Sequence, residues 1–254
     1  MKSKILLGTL FVLCAVTLPA AEPPANLQKV SFPSGSDTAS GYLALPAGSG
    51  RHPAVVVIQE WWGVNDWVKE QAQRFAGEGY VALAVDLYRG KVATDAEMAH
   101  ELARGLPQDR GVRDLTSAVA WLSHRPDVDT ERIGAIGWCM GGGYAAQLAV
   151  ADPNLRAVAI NYGSLPTDKA ALVQIHAAVL GNFGGQDRGI TPDDVHAFQA
   201  AMESLGKHPD LKIYPDAGHA FENPNNTGGY RAADAEDAQA RSHHFLAEYL
   251  HPQQ

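Results

Sequence analysis

Apolar and polar positions along this chain fall into blocks whose period switches repeatedly between a strand rhythm and a helix rhythm. Ala54-Val55-Val56-Val57-Ile58 is a short, unbroken apolar run, the pattern of a strand buried on both faces. Residues 66–79 follow with helical spacing, placing Trp67, Ala72, Phe75 and Ala76 together, and they end in Gly77-Glu78-Gly79, a stop signal. The next apolar run, 80–85, predicts a second strand. Residues 95–103 and 112–122 predict helices, parted by Gly105 and Pro107.

The alternation continues to the carboxyl end. Strands are predicted over 133–138, 157–161, 177–182 and 211–214. Helices are predicted over 141–150, 192–205 and 232–250, the last with Phe245 and Leu246 on its apolar side. Residues 30–32 and 41–45 differ: they are short and flanked by Ser, Gly and Pro, which suggests an antiparallel edge hairpin. Strands alternating with helices predict an α/β fold with a mostly parallel sheet covered on both faces. No repeat, low-complexity tract or linker interrupts the pattern, so residues 22–254 read as one domain.

The first 21 residues follow another rule. Lys2 and Lys4 open the chain, an apolar run covers 5–18, and Pro19-Ala20-Ala21 closes it with small residues. That is the layout of an export leader, and the run is shorter than the roughly 20 residues needed to span a bilayer. An uncleaved anchor is the alternative. Cys14 follows the bulky Leu13 and sits inside the apolar run, a poor place for lipid attachment. Cleavage would give a periplasmic or secreted protein, and removing two lysines and no acid would take the net charge from −8 to −10. An acidic chain without a basic run argues against nucleic acid and anionic membranes as partners. The oligomeric state is left open. With 46% hydrophobic residues, the chain can build its core without disulfides.

Loss of the leader would leave one thiol, Cys139. It lies in Gly137-Trp138-Cys139-Met140-Gly141, directly after the predicted strand 133–138. A nucleophile between a strand and a helix needs a strained backbone, and small neighbours let the chain turn there without clashes. The following helix would direct its amino-terminal dipole at the sulfur and at a developing oxyanion. A structural cysteine beside a glycine-rich packing contact fits the pentapeptide equally well.

The order of the other groups shifts that balance. Asp187, in Gly184-Gly185-Gln186-Asp187, follows one late strand, and His219, in Asp216-Ala217-Gly218-His219-Ala220-Phe221, follows the next. Nucleophile, acid, histidine is the chain order of α/β-hydrolases. The histidine would take the thiol's proton and the acid would hold the imidazole's tautomer. Asp187 could also be a plain turn residue before Ile190-Thr191-Pro192. Asp216 competes for the acid role, but it sits in the histidine's own loop, so reaching back to that ring is awkward. Glu60 follows the first buried strand at the same edge, in Gln59-Glu60-Trp61-Trp62-Gly63, and two tryptophans beside it suggest a pocket rim rather than an exposed turn. His243 and His244 are adjacent and would point apart on a helix, so no metal site is predicted, nor any cofactor.

Gln59-Glu60, Asp86-Leu87-Tyr88, Gly137 to Gly142, Gly185-Gln186-Asp187 and Ala217 to Phe221 together resemble the dienelactone hydrolases (carboxymethylenebutenolidases), which have the α/β-hydrolase fold. The likeness runs from about residue 27 to residue 250. It implies a Cys139–His219–Asp187 triad, with Glu60 contacting the resting thiol and helping to deprotonate it when substrate arrives. It implies an oxyanion hole from the Met140 and Trp61 backbone N–H groups. Trp62, Tyr88, Arg89, Trp138, Phe221 and Asn223 become the candidates for substrate contact. Members acting on dienelactone hold its carboxylate with two arginines; here Arg89 stands one place early and the second position is Asn223, so that clamp is altered.

A cysteine nucleophile restricts the substrate on its own. Thiolate is a good leaving group, so acylation is productive only when the alcohol leaves easily too, as in enol lactones, aryl esters or thioesters. The expected partner is a small ester or lactone. A broad-specificity exported carboxylesterase or thioesterase shares this chemistry, and a non-catalytic binding protein on the same scaffold is the remaining alternative.

Overall fold

The computed structural model describes residues 26–251; the leader read over residues 1–21, with Cys14, lies outside the described residues. Eight strands form one sheet: β1 (Leu27–Ser34), β2 (Asp37–Ala44), β3 (His52–Ile58), β4 (Val81–Asp86), β5 (Val128–Trp138), β6 (Ala157–Asn161), β7 (Ala178–Gly184) and β8 (Asp210–Tyr214), in the spatial order β1-β2-β4-β3-β5-β6-β7-β8. The β1–β2 and β2–β4 pairs are antiparallel and the five remaining pairs are parallel. The hairpin predicted from two short patches is therefore present and longer at its start than the pattern suggested.

Period-two alternation splits each central strand between two cores. Val56 and Ile58 face one side with Leu83 and Val85, while Val55 and Val57 face the other with Ala82 and Ala84. The first side is covered by α3 (Gln108–Ser123), α4 (Met140–Ala151) and α6 (Pro192–Glu203), through Leu115, Leu148 and Phe198. The second is covered by α1 (Asp66–Gly77) and α7 (Ala232–Leu250), through Trp67, Phe75, Phe245 and Leu246. Each large apolar side chain fully buried this way contributes roughly 1.5–3 kcal/mol. Two shorter helices, α2 (Ala96–Arg104) and α5 (Lys169–Leu172), complete the set.

Local chemistry sets the helix starts. Asn65 caps α1 by accepting from the Val68 N–H at 3.1 Å. Thr191 and Asp194 form a reciprocal capping box on α6 with Pro192 in the first turn. Strand β5 starts five residues before the predicted 133, because Val128 pairs with His52 before an irregularity in register. Strand order reverses around β3, which has β4 on one side and β5 on the other. In open parallel sheets the crevice at such a reversal, beyond the strands' carboxyl ends, is where ligands bind. Glu60 and Cys139 both lie there.

Candidate active site

Cys139 occupies the junction between β5 and α4 with φ 55° and ψ −120°. A non-glycine residue in that region carries strain of order 1–3 kcal/mol. The surrounding backbone holds it: the Cys139 N–H donates to Asn161 O at 3.0 Å and its carbonyl accepts from Gly143 N at 3.2 Å. The glycines of the motif are required by close approach. A Cβ on Gly137 would overlap the Gly141 carbonyl, and one on Gly141 would overlap the carbonyls of Ile58 and Gln59.

His219 lies in the irregular loop between β8 and α7. Its Nε2 stands 3.0 Å from Cys139 Sγ, and its Nδ1 stands 2.6 Å from Asp187 Oδ2. Asp187 follows β7 and is 5% exposed; its second oxygen accepts from the Gly189 and Ile190 N–H groups at 2.8 and 3.1 Å. Asn226 steadies the histidine loop by donating to the His219 and Ala220 carbonyls at 3.1 and 3.2 Å. Asp216, the rival acid, is exposed. Sulfur, imidazole and carboxylate thus form one continuous chain.

The electrostatics follow from burial and partners. Burial works against the Asp187 charge, but the bond to His219 and the two backbone donors outweigh it and hold the carboxyl below its ordinary value. Burial likewise works against charge on His219, yet Asp187 and Cys139 push the imidazole up to about 10. Glu60 is 2% exposed, and burial pushes it up to about 7 against the pull of Asn223, His219 and Tyr162. Asn223 Nδ2 donates to Glu60 Oε2 at 2.5 Å and the Tyr162 hydroxyl donates to Oε1 at 3.5 Å. The expected contact of Glu60 with the resting thiol is replaced by these two partners, and the sulfur faces His219 instead.

A cavity of about 700 Å³ opens over the sulfur; Glu60, Trp61, Trp62, Cys139, His219 and Asn223 are among its walls. The Trp61 and Met140 N–H groups have no hydrogen-bond partner among the described residues. Met140 is the first residue of α4, where intrahelical partners are lacking by geometry. Both N–H groups are free to meet a carbonyl oxygen.

Four residues expected to touch substrate lie elsewhere. Arg89 adopts φ 57° after Asp86, which accepts from the Tyr88 and Gly90 N–H groups. The turn sends its guanidinium to Asp37 and to the fully buried Asp114, each at 2.9 Å. Trp138 is buried beneath the nucleophile, edge-on to Trp67 at 5.1 Å. Phe221 is buried against Tyr162 and Tyr214. Tyr88 is 4% exposed and places its hydroxyl 3.3 Å from Met140 Sδ. Trp138, Phe221 and Tyr88 pack against the site's scaffold and Arg89 lines a separate cavity, whereas Trp62 and Asn223 line the one over the sulfur.

Two residues escaped the sequence reading. Tyr162, at the end of β6 with φ 38°, is buried and packs its ring against His219 at 5.4 Å; its position at the strand's carboxyl end was the available signal. Glu222 is fully buried and accepts from Trp138 Nε1 at 3.1 Å. Burial pushes Glu222 up to about 8, Trp138 opposes this, and the neighbouring Glu60 adds to it. Among the described residues, no group of three or more His, Cys, Asp or Glu could hold a metal ion, and no helix is long and apolar enough to cross a membrane.

The family model of the "Dienelactone hydrolase family" matches residues 39–250. A "Putative carboxymethylenebutenolidase" of Methylorubrum extorquens is 33% identical over 235 residues, covering 87% of this chain and 80% of that protein. An Escherichia coli K12 protein of the same description is 33% identical, covering 86% of each chain. The crystal structure of a "Putative Dienelactone Hydrolase" from Klebsiella pneumoniae superposes with a TM-score of 0.81 at 28% identity, covering 89% of this chain and all of that one.

Proposed function

This chain belongs to the dienelactone hydrolase family and is a hydrolase, and on that premise we propose that it cleaves activated esters or enol lactones through a covalent thioester on Cys139. The observation that carries the proposal is the unbroken chain from Cys139 Sγ through His219 to Asp187, at 3.0 and 2.6 Å, on a strained strand–helix turn.

His219 Nε2 takes the thiol proton, and Asp187 holds the opposite ring nitrogen and stabilises the imidazolium. The sulfur attacks the carbonyl carbon, and the oxyanion meets the Met140 and Trp61 N–H groups at the amino end of α4. Collapse breaks the carbon–oxygen bond, and the leaving alcohol or enol takes the proton from His219. Water, deprotonated by His219, then attacks the thioester and expels the sulfur. Glu60 lines the same cavity as the sulfur, and burial pushes its carboxyl up to about 7. Ionised, it disfavours a neighbouring thiolate, which shields a lone thiol from oxidation until substrate displaces it.

Cys139→Ala should abolish turnover of aryl esters, and the wild-type protein should gain one acyl mass in intact-protein spectra during the reaction. Turnover retained in the alanine variant would sink the nucleophile assignment. We also read residues 1–21 as a cleaved leader directing the enzyme out of the cytoplasm; amino-terminal sequencing of expressed protein should begin near Ala21 or Glu22.

A further inference from the structure

The surroundings of the sulfur say more about substrate than the nucleophile does. Among the described residues, no lysine or arginine lines the cavity of about 700 Å³, and Glu60, Cys139 and His219 are its titratable groups. Both ring nitrogens of His219 are engaged, by Asp187 and Cys139. Arg89 lines a separate cavity with Asp37, Glu101 and Arg110, and its guanidinium is held by Asp37 and buried Asp114. A carboxylate on the substrate would shed water, meet no cation except an imidazolium already committed to Asp187 and the sulfur, and face Glu60, which is costly.

The wall provided by the β8–α7 loop is instead neutral and polar. The side chains of Asn225 and Thr227 have no hydrogen-bond partner among the described residues. Asn226 uses only its amide nitrogen, on the His219 and Ala220 carbonyls. Trp61 and Trp62, with ring centroids 5.0 Å apart, line the same cavity and offer flat apolar surface. The cavity has the size of a drug-like ligand site, larger than a simple acetyl group requires. Resting on the covalent mechanism proposed above, we infer that the acyl donor is uncharged and carries hydroxyl or carbonyl groups that meet the Asn225–Asn226–Thr227 wall.

The test compares mono-4-nitrophenyl adipate with 4-nitrophenyl adipamate, which share a leaving group and chain length and differ in a terminal carboxylate or carboxamide. The carboxamide ester should be favoured by about tenfold or more in kcat/KM at pH 8, where Glu60 is ionised. Arg89→Gln should leave that ratio unchanged. Asn225→Ala combined with Thr227→Val should raise KM for the carboxamide ester about two- to tenfold at unchanged kcat, as loss of neutral hydrogen bonds does. Equal or better turnover of the carboxylate ester, or a carboxamide preference that rises severalfold in Arg89→Gln, would overturn the inference. The covalent reading is scored separately, by an acyl adduct on Cys139 in intact-mass spectra. If neither ester turns over, protection of Cys139 from iodoacetamide by N-methyl adipamide against N-methyl adipamate reads the charge preference directly.

Discussion

Asp187 and Glu60 sit at the same edge of the sheet, Asp187 three residues beyond β7 and Glu60 two beyond β3, and both are almost fully buried, at 5% and 2% exposure. Yet Asp187 is held below its ordinary pKa while Glu60 rises to about 7. Both are shielded from solvent, but Glu60 lies deeper among protein atoms than Asp187, so depth of burial and the donors act together. Asp187 receives two backbone N–H groups and the imidazole; Glu60 receives one amide and a phenol at 3.5 Å. Three close donors, one of them cationic, keep a buried carboxylate charged; fewer let it take a proton. One acid is thus held as an anion against the imidazole, and the other changes charge near neutral pH.

The sharpest way to break this contrast is to remove the fixed charge. Asp187→Asn keeps the shape but offers the imidazole the wrong partner, and kcat/KM for an aryl ester should fall by about 10³–10⁴. A loss below tenfold in steady-state kinetics would end the orienting role.

Glu60→Gln probes the variable charge. Above about pH 7 the wild-type carboxylate repels a thiolate; below it the neutral acid does not. Alkylation of Cys139 by iodoacetamide should therefore be severalfold faster in the variant at pH 8 and equal at pH 5.5. A rate difference at pH 5.5 of the same size would remove the electrostatic explanation.

Glu222→Gln gives the smallest effect and reads stability. In the fold Glu222 keeps its proton up to about pH 8, against 4.5 for an ordinary glutamate. The folded state binds more protons across that window, so stability falls as pH rises through it. Melting temperature should drop from pH 5 to pH 8 in the wild type and drop less in the variant, at about 2–4 °C per kcal/mol for a chain of this size. Parallel curves would show that Glu222 does not titrate between the two states.

Much of the scaffold was readable from pattern alone. β6 and α7 occupy the predicted 157–161 and 232–250, because one is a fully buried run and the other a long amphipathic stretch. α5 was missed since four residues carry no period. That Cys139, Asp187 and His219 come together was legible from their order along the chain, whereas the fate of Arg89 was not. Its direction depends on the Asp86 turn and on Asp114, 25 residues away in sequence. Glu222 was hidden for a related reason: a glutamate in a loop reads as exposed until the bond from Trp138, at the end of β5, shows that it is turned inward. Local rules reach the elements and the catalytic edge; which charges the fold spends on itself is a long-range property.

That use of Arg89 limits how the enzyme could change its diet. Asp114 is wholly enclosed, bonded by the Ser34 hydroxyl and neutralised by Arg89, with Arg110 farther off at 3.6 Å. Swinging Arg89 toward the cavity would leave a buried anion under the amino-terminal hairpin with only Arg110 and the Ser34 hydroxyl to hold it, a destabilising change. An evolutionary route to acidic substrates through this residue must therefore alter Asp114 in the same step, or bring in a new cation from the Asn-rich loop. If the cavity's charge sets selectivity as inferred above, one side chain couples it to folding.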